Sequence, residues 1–133
     1  MKLYYSALFL IVFLASSCSI KRYTKLGYYQ ELVGVDYQKY ISDSIANIID
    51  VRTKKKYKKT HIIGAQNASY TGGDFSETVD STKMDASLST LIYCETQHRS
   101  LFATKKLITL GFKNIVDLDK GMIAWRKNGF PYF

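Results

Sequence analysis

Three short runs of β-branched and aliphatic residues punctuate the chain: Asn47-Ile48-Ile49-Asp50-Val51, the stretch 88–93, and Asn114-Ile115-Val116. A strand that is apolar on both faces has to be covered on both faces, which argues for a parallel sheet between helices. Glu31-Leu32-Val33 reads as a further, weaker strand. Asp36 can N-cap a helix over 37–42, where its carboxylate would accept from orphan N–H groups of the first turn. Residues 100–110 place Leu101, Leu107, Ile108 and Leu110 near helical spacing, and Gly111 is a natural stop. A last helix over 121–128 is ended by Gly129 and, after Phe130, by Pro131. The Ser-, Thr-, Gly- and Asp-rich stretch 67–87 reads as a long loop with one helical turn, and loops of that length are often functional. The expected architecture is α/β, a small, mostly parallel central sheet with helices on both faces.

The 133 residues allow one ordinary domain, and 47% hydrophobic content gives it a core. Two cysteines cannot make the disulfide framework of a small secreted scaffold. The one strongly apolar run, LYYSALFLIVFLA at 3–15, follows Met1-Lys2 and is too short to cross roughly 30 Å of hydrocarbon. It has the size and flanks of a signal-peptide core. Leu14-Ala15-Ser16-Ser17-Cys18 resembles a bacterial lipoprotein signal, although Ala15 stands three residues before Cys18 where Leu is usual. The expected organisation is a signal peptide over 1–17, Cys18 as the lipidated mature N-terminus, a polar tether over 18–29 and a domain over 30–133. That places the domain in the cell envelope, periplasmic or surface-facing. An ordinary cleaved signal, an uncleaved anchor, or a Cys18–Cys94 disulfide are the alternatives.

Ligands of parallel α/β sheets bind in the loops beyond the carboxyl ends of the strands, and Cys94 stands at such a place. The segment Leu91-Ile92-Tyr93-Cys94-Glu95-Thr96-Gln97-His98-Arg99-Ser100 reads as strand, short loop and helix start. A loop curled around a thiol at a helix N-terminus aims backbone N–H groups at the sulfur, which favours the thiolate and any anion it attacks. Arg99 adds a permanent positive charge. Glu95 would oppose both effects if it pointed inward, and it is expected to face solvent.

Three blocks, in order, make this chain resemble the rhodanese-like family of single-domain sulfurtransferases. Ile49-Asp50-Val51-Arg52 resembles the family's Asp-x-Arg strand end. His61-Ile62-Ile63-Gly64-Ala65-Gln66-Asn67 is similar to its His-Ile-x-Gly-Ala-x-Asn stretch. The third block runs from Tyr93-Cys94 through Arg99-Ser100, Leu110-Gly111-Phe112, Asn114-Ile115, Leu118, Gly121 and Ala124-Trp125 to Gly129-Phe130-Pro131. The resemblance implies that Cys94 is the nucleophile and persulfide carrier. It also implies that the loop amides of Glu95, Thr96, Gln97, His98 and Arg99 cradle the terminal sulfur, with Asp50 and Arg52 in support. A small sulfur donor such as thiosulfate, a thiophilic acceptor and no cofactor follow from the same resemblance. The related dual-specificity phosphatases have one more loop residue, which makes room for phosphate. Two positions depart from the pattern. Gln97 stands where the family commonly has a glycine able to take φ > 0, and Lys120 replaces the first of two glycines before the last helix. Both bear on turnover more than on fold.

The remaining candidates read as structural. Lys54, Lys55, Lys56, Lys58 and Lys59 form a solvated basic face, or one attracted to anionic lipid headgroups. His61 reads as a hydrogen-bonding residue, His98 as facing either solvent or substrate, and Trp125 as core. Two cysteines and two histidines at unrelated spacings do not suit a metal site. The net charge of +8 lacks the basic–aromatic interleaving of a nucleic-acid groove, so no nucleic-acid partner is expected. The chain is expected to act as a monomer. Three functions are compatible with these residues: a sulfurtransferase, a non-catalytic anion- or partner-binding module of the same fold, and a thiol-redox protein without a resolving cysteine. The lipidation reading predicts that Cys18→Ser abolishes fatty-acid labelling and releases the protein from the membrane fraction. A variant that still partitions with membranes contradicts it.

Overall fold

A computed structural model of the protein describes residues 20–133, so the signal-peptide and Cys18 readings fall outside the described residues. Residues 20–25 are helical (α1), inside the stretch read as a tether. There follow β1 (Tyr29–Leu32), α2 (Gly34–Asp43), β2 (Ala46–Asp50), α3 (Lys54–Lys59), β3 (Gln66–Asn67), α4 (Phe75–Ser81), β4 (Ser89–Tyr93), α5 (His98–Thr109), β5 (Ile115–Leu118) and α6 (Gly121–Lys127). The strands form one parallel sheet in the order β1-β5-β4-β2-β3.

Alternation along the strands divides the core in two. Ile49, Ile92 and Ile115 face α4 and α5, where Phe75, Val79, Ala103 and Leu107 pack. Leu91, Tyr93, Val116 and Leu118 face the other way, onto Tyr37 of α2 and Met122 and Trp125 of α6. Both faces are therefore covered, and both layers carry fully buried side chains. The indole N–H of Trp125 donates to the Pro131 carbonyl at 2.9 Å, which folds the C-terminal segment over α6. Phe133 and His61 then exchange backbone hydrogen bonds at 2.8 and 3.1 Å. Among the described residues, no helix is long and apolar enough to cross a membrane.

Several local expectations are corrected. Tyr29, counted with the tether, is buried and opens β1. Helix α2 starts at Gly34 with Val33 as its N-cap, so Asp36 sits in the first turn and caps nothing. Gly34 at that start packs closely against the C-terminal segment: a Cβ there would lie 2.5 Å from the Phe130 ring. The 67–87 stretch carries more than one turn. Asp74 Oδ1 accepts from the amides of Ser76 (2.8 Å) and Glu77 (3.3 Å), capping α4, which buries Phe75 and Val79. Asp74 and Glu77 stand at capping-box spacing, the sequence signal that this helix carried.

Candidate active site

Cys94 follows the last residue of β4, at the carboxyl edge of the sheet, and its side chain forms the floor of a pocket. The pocket holds about 340 Å³ and is lined by Lys56, Cys94, Glu95, Thr96, His98 and Arg99. The residue itself is only 2% exposed, so the sulfur is reached through this opening and not from open surface. After Cys94 the chain turns through Gln97, which takes a left-handed conformation (φ 85°, ψ −16°) and serves as N-cap of α5. This turn brings the Gln97 N–H to 3.0 Å from Cys94 Sγ. The thiol in turn donates to Ser100 Oγ across 3.7 Å, and Ser100 Oγ donates to the Gln97 carbonyl at 2.8 Å.

Of the five loop residues expected to cradle sulfur, Gln97 supplies the amide that reaches Sγ. Thr96 and His98 are exposed and joined to each other, Oγ1 to Nδ1, at 3.3 Å on the pocket rim. Arg99 lines the pocket, and among the described residues no carboxylate pairs with its guanidinium. A free guanidinium beside a sulfur is a site for a small oxyanion.

Glu95 is the clear correction. It was expected to face solvent, but its side chain is 17% exposed and held by three cations. Arg52 Nη1 reaches it at 3.1 Å, Lys56 Nζ at 3.3 Å and Arg126 Nη2 at 2.6 Å. Partial burial works against its ionisation, but hydrogen bonds from Arg52 and Lys56 prevail and hold the carboxyl below its ordinary range. A carboxylate so compensated repels an incoming anion far less than a free one. The cations come from the β2–α3 loop, α3 and α6, segments brought together only by the fold, so no local pattern could have shown this orientation.

Asp50 and Arg52 lie beneath the loop, not in the pocket. Arg52 Nε and Nη2 grip the Asp50 carboxylate at 3.0 and 2.7 Å, with the pair fully buried. Nη2 also donates to the Thr60 carbonyl, and the guanidinium stacks 5.6 Å from the Tyr93 ring centroid. A buried pair with its remaining protons satisfied fixes geometry more than it adds stability, and here it positions Glu95. His61 Nδ1 meets the Tyr57 carbonyl at 3.0 Å, and its ring stacks on Tyr57, away from the sulfur. The five lysines of α3 are exposed, with Lys56 alone among them lining the pocket. Among the described residues, no cluster of His, Cys, Asp and Glu could hold a metal ion.

The last helix holds the loop from behind. Met122 N–H donates to the Cys94 carbonyl at 2.9 Å and Ile123 N–H to the Glu95 carbonyl at 3.2 Å. This approach requires Gly121: at φ +61°, a Cβ there would lie 2.5 Å from the Cys94 carbonyl oxygen and 2.6 Å from that of Glu95. Lys120, the departure from the glycine pair, is left-handed as well (φ 57°). The other departure reaches it, because Gln97 Oε1 accepts from the Lys120 N–H at 3.5 Å.

The chain matches the family model described as a Rhodanese-like domain over residues 35–128. It is 34% identical over 92 residues to thiosulfate sulfurtransferase 16, chloroplastic, of Arabidopsis thaliana, covering 62% of this chain and 76% of that one. Thiosulfate sulfurtransferase 18 of the same plant is 30% identical over 115 residues, covering 77% and 84%. The crystal structure of a rhodanese-related protein from Thermoplasma volcanium superposes with a TM-score of 0.64 at 24% identity, covering 79% of this chain and 98% of that one.

Because Gly121 touches backbone, not a movable side chain, Gly121→Ala is expected to lower unfolding free energy by about 2 kcal/mol or more. Urea denaturation followed by circular dichroism measures this. A variant as stable as the parent would mean that the helix does not clamp the loop.

Proposed function

Because this chain belongs to the rhodanese-like domain family, we propose that it moves sulfane sulfur from a small anionic donor such as thiosulfate to a thiophilic acceptor through a persulfide on Cys94. The carrying observation is a conjunction around Cys94: the Gln97 N–H lies 3.0 Å from Sγ, and Arg99, which pairs with no carboxylate among the described residues, lines the same pocket as Cys94. The names of the two plant relatives support the substrate class.

In this reading Cys94 first loses its proton to solvent. The thiolate attacks the outer sulfur of thiosulfate, a sulfur–sulfur bond forms to Cys94, and sulfite leaves with the electron pair of the bond that breaks. Arg99 pairs with the sulfonate end of the donor, placing the reacting sulfur over Cys94. The persulfide's terminal sulfur carries the negative charge into the loop, where main-chain N–H groups receive it. An acceptor such as cyanide takes that sulfur and the Cys94 thiolate returns. Burial of Sγ at the pocket floor favours such small reactants.

The domain's place in the cell envelope, tethered by lipid on Cys18, belongs to the same proposal, with the 1–17 sequence as its support. A non-catalytic module that holds an anion or partner is the second reading, favoured by the 2% exposure of Cys94 and the carboxylate of Glu95 in the pocket wall. Incubation with thiosulfate and cyanide separates them. Thiocyanate should form, Cys94→Ser should abolish it, and Arg99→Ala should raise the KM for thiosulfate by about tenfold or more, the loss of one charge-assisted contact. No thiocyanate from the parent protein would leave the binding reading standing.

A further inference from the structure

The stretch 51–73 holds six basic residues and no Asp or Glu. One of the six, Arg52, is buried against Asp50, and the other five are the lysines of α3, all exposed. The packing of α3 gives no reason for that composition. The helix is pinned by Tyr57, whose hydroxyl donates to the Ala65 carbonyl at 2.8 Å and whose ring stacks on His61. No residue of α3 is fully buried, and its first turn holds no acid. Lys54 and Lys58 stand four residues apart, as do Lys55 and Lys59, a spacing at which like charges oppose a helix. Among the described residues, Lys56 alone of the five meets a carboxylate, that of Glu95 at 3.3 Å. A surface that serves solubility mixes the two signs. This one gathers a single sign at the expense of the helix that carries it.

The patch borders the mouth of the active site. Asp50 of β2 pairs with Tyr93 of β4, so the chain enters α3 beside the point where it enters the Cys94 loop. Lys56 lines the pocket itself. Both lie at the carboxyl edge of the sheet, whereas α1 leads into β1 at the amino edge. A lipid on Cys18 would draw α1, with its exposed Lys21, Arg22 and Lys25, toward a bilayer and leave α3 turned away from it. That placement favours an acidic protein over lipid headgroups as the partner of α3. Access narrows the partner further. Cys94 is 2% exposed beneath a pocket of about 340 Å³, which a cysteine on an extended segment can enter and a flat protein surface cannot. Six helical residues span about 9 Å, the reach of about three extended ones, so the matching acids lie within a few residues of that cysteine.

We propose that α3 is the docking surface for the sulfur acceptor, a protein segment that carries a reactive cysteine among Asp and Glu residues. This rests on sulfur transfer through Cys94 and names the class of acceptor. The acidic side chains lie along the lysines of α3, and the cysteine enters the pocket past Lys56. Its thiol gives a proton to solvent, and the thiolate attacks the outer sulfur of the Cys94 persulfide. A sulfur–sulfur bond forms on the partner, the bond to Cys94 Sγ breaks, and Cys94 keeps the electron pair of that bond as a thiolate. Charge matching at exposed lysines speeds encounter more than it tightens the complex, which suits a carrier that has to leave after each transfer.

The test uses the full chain and short fluorescein-labelled peptides, one with glutamates around a central serine and one with glutamines in their place. Serine replaces cysteine so that binding is read, by anisotropy, without chemistry. The glutamate peptide should bind about tenfold or more tightly than the glutamine peptide, and Lys54→Glu with Lys58→Glu should remove that preference. The bound glutamate peptide should also slow alkylation of Cys94 by iodoacetamide. Circular dichroism of the double variant, and of Lys54→Gln with Lys58→Gln, checks that the fold is kept. With cysteine restored in both peptides, the persulfide-loaded protein should transfer sulfur to the acidic one about tenfold faster, while the double variant keeps its rate of thiocyanate formation from thiosulfate and cyanide. Equal binding of the two peptides, or binding that leaves the alkylation of Cys94 unchanged, overturns the proposal. So does retention on phosphatidylglycerol vesicles that depends on Lys54 and Lys58 without any peptide preference, which would make α3 a lipid-facing surface. Anisotropy and alkylation need no sulfur transfer, so a parent protein that forms no thiocyanate overturns the sulfur-transfer reading and leaves the docking surface to be decided by these two measurements.

Discussion

The left-handed backbone of Gln97 is the pivot of the site. It turns the chain out of β4 and into α5 within a few residues, and that turn carries its N–H to the sulfur of Cys94. A residue with a Cβ holds such a conformation at a cost on the order of 1 kcal/mol, so surrounding contacts have to impose it. Three are visible. The Gln97 carbonyl is held by Ser100, its side-chain oxygen by the Lys120 amide, and the carbonyls of Cys94 and Glu95 by the first amides of α6. The Gln97 side-chain nitrogen is itself buried without a hydrogen-bond partner, a cost that these contacts have to offset. A glycine at this position would have had only its backbone to hold.

Electrostatics around the sulfur follow from which charges are already matched. Glu95 and its three cations neutralise one another on the side of the pocket nearest α3 and α6. The Arg99 charge has no such partner among the described residues and remains for a substrate. The buried Asp50–Arg52 pair supports this division from below, because the same guanidinium that grips Asp50 also fixes Glu95. The basic character of the pocket is therefore a matter of placement more than of the overall charge of the chain.

Much of the architecture could be read from the residues alone. Strands buried on both faces advertise themselves as apolar runs, and β2, β4 and β5 each stand within a residue or two of where those runs lie. Strand β3 has two residues, too few for any periodicity, and exists because β2 offers an edge beside it. Helix α4 has a narrow apolar face, Phe75 and Val79, in an otherwise polar stretch, and its capping pattern was the better signal. The first residue of α2 packs against Phe130, nearly a hundred residues away, a contact that no local reading could reach. The site divides in the same way. Cys94 and Arg99 were legible from loop length and family resemblance, and the structure brings them to one pocket. The orientation of Glu95 and the contact between Gln97 and Lys120 depend on residues brought together by the fold.

The claim at the centre of this account is that the loop from Cys94 to Arg99 receives a sulfur atom on Cys94 and holds its charge. A crystal structure of the protein after exposure to thiosulfate tests it most directly. The account predicts one additional sulfur bonded to Cys94 Sγ, within hydrogen-bonding distance of the loop amides and with Arg99 turned toward it. An unmodified Cys94 with thiosulfate bound intact in the pocket, or with no anion there, would contradict it.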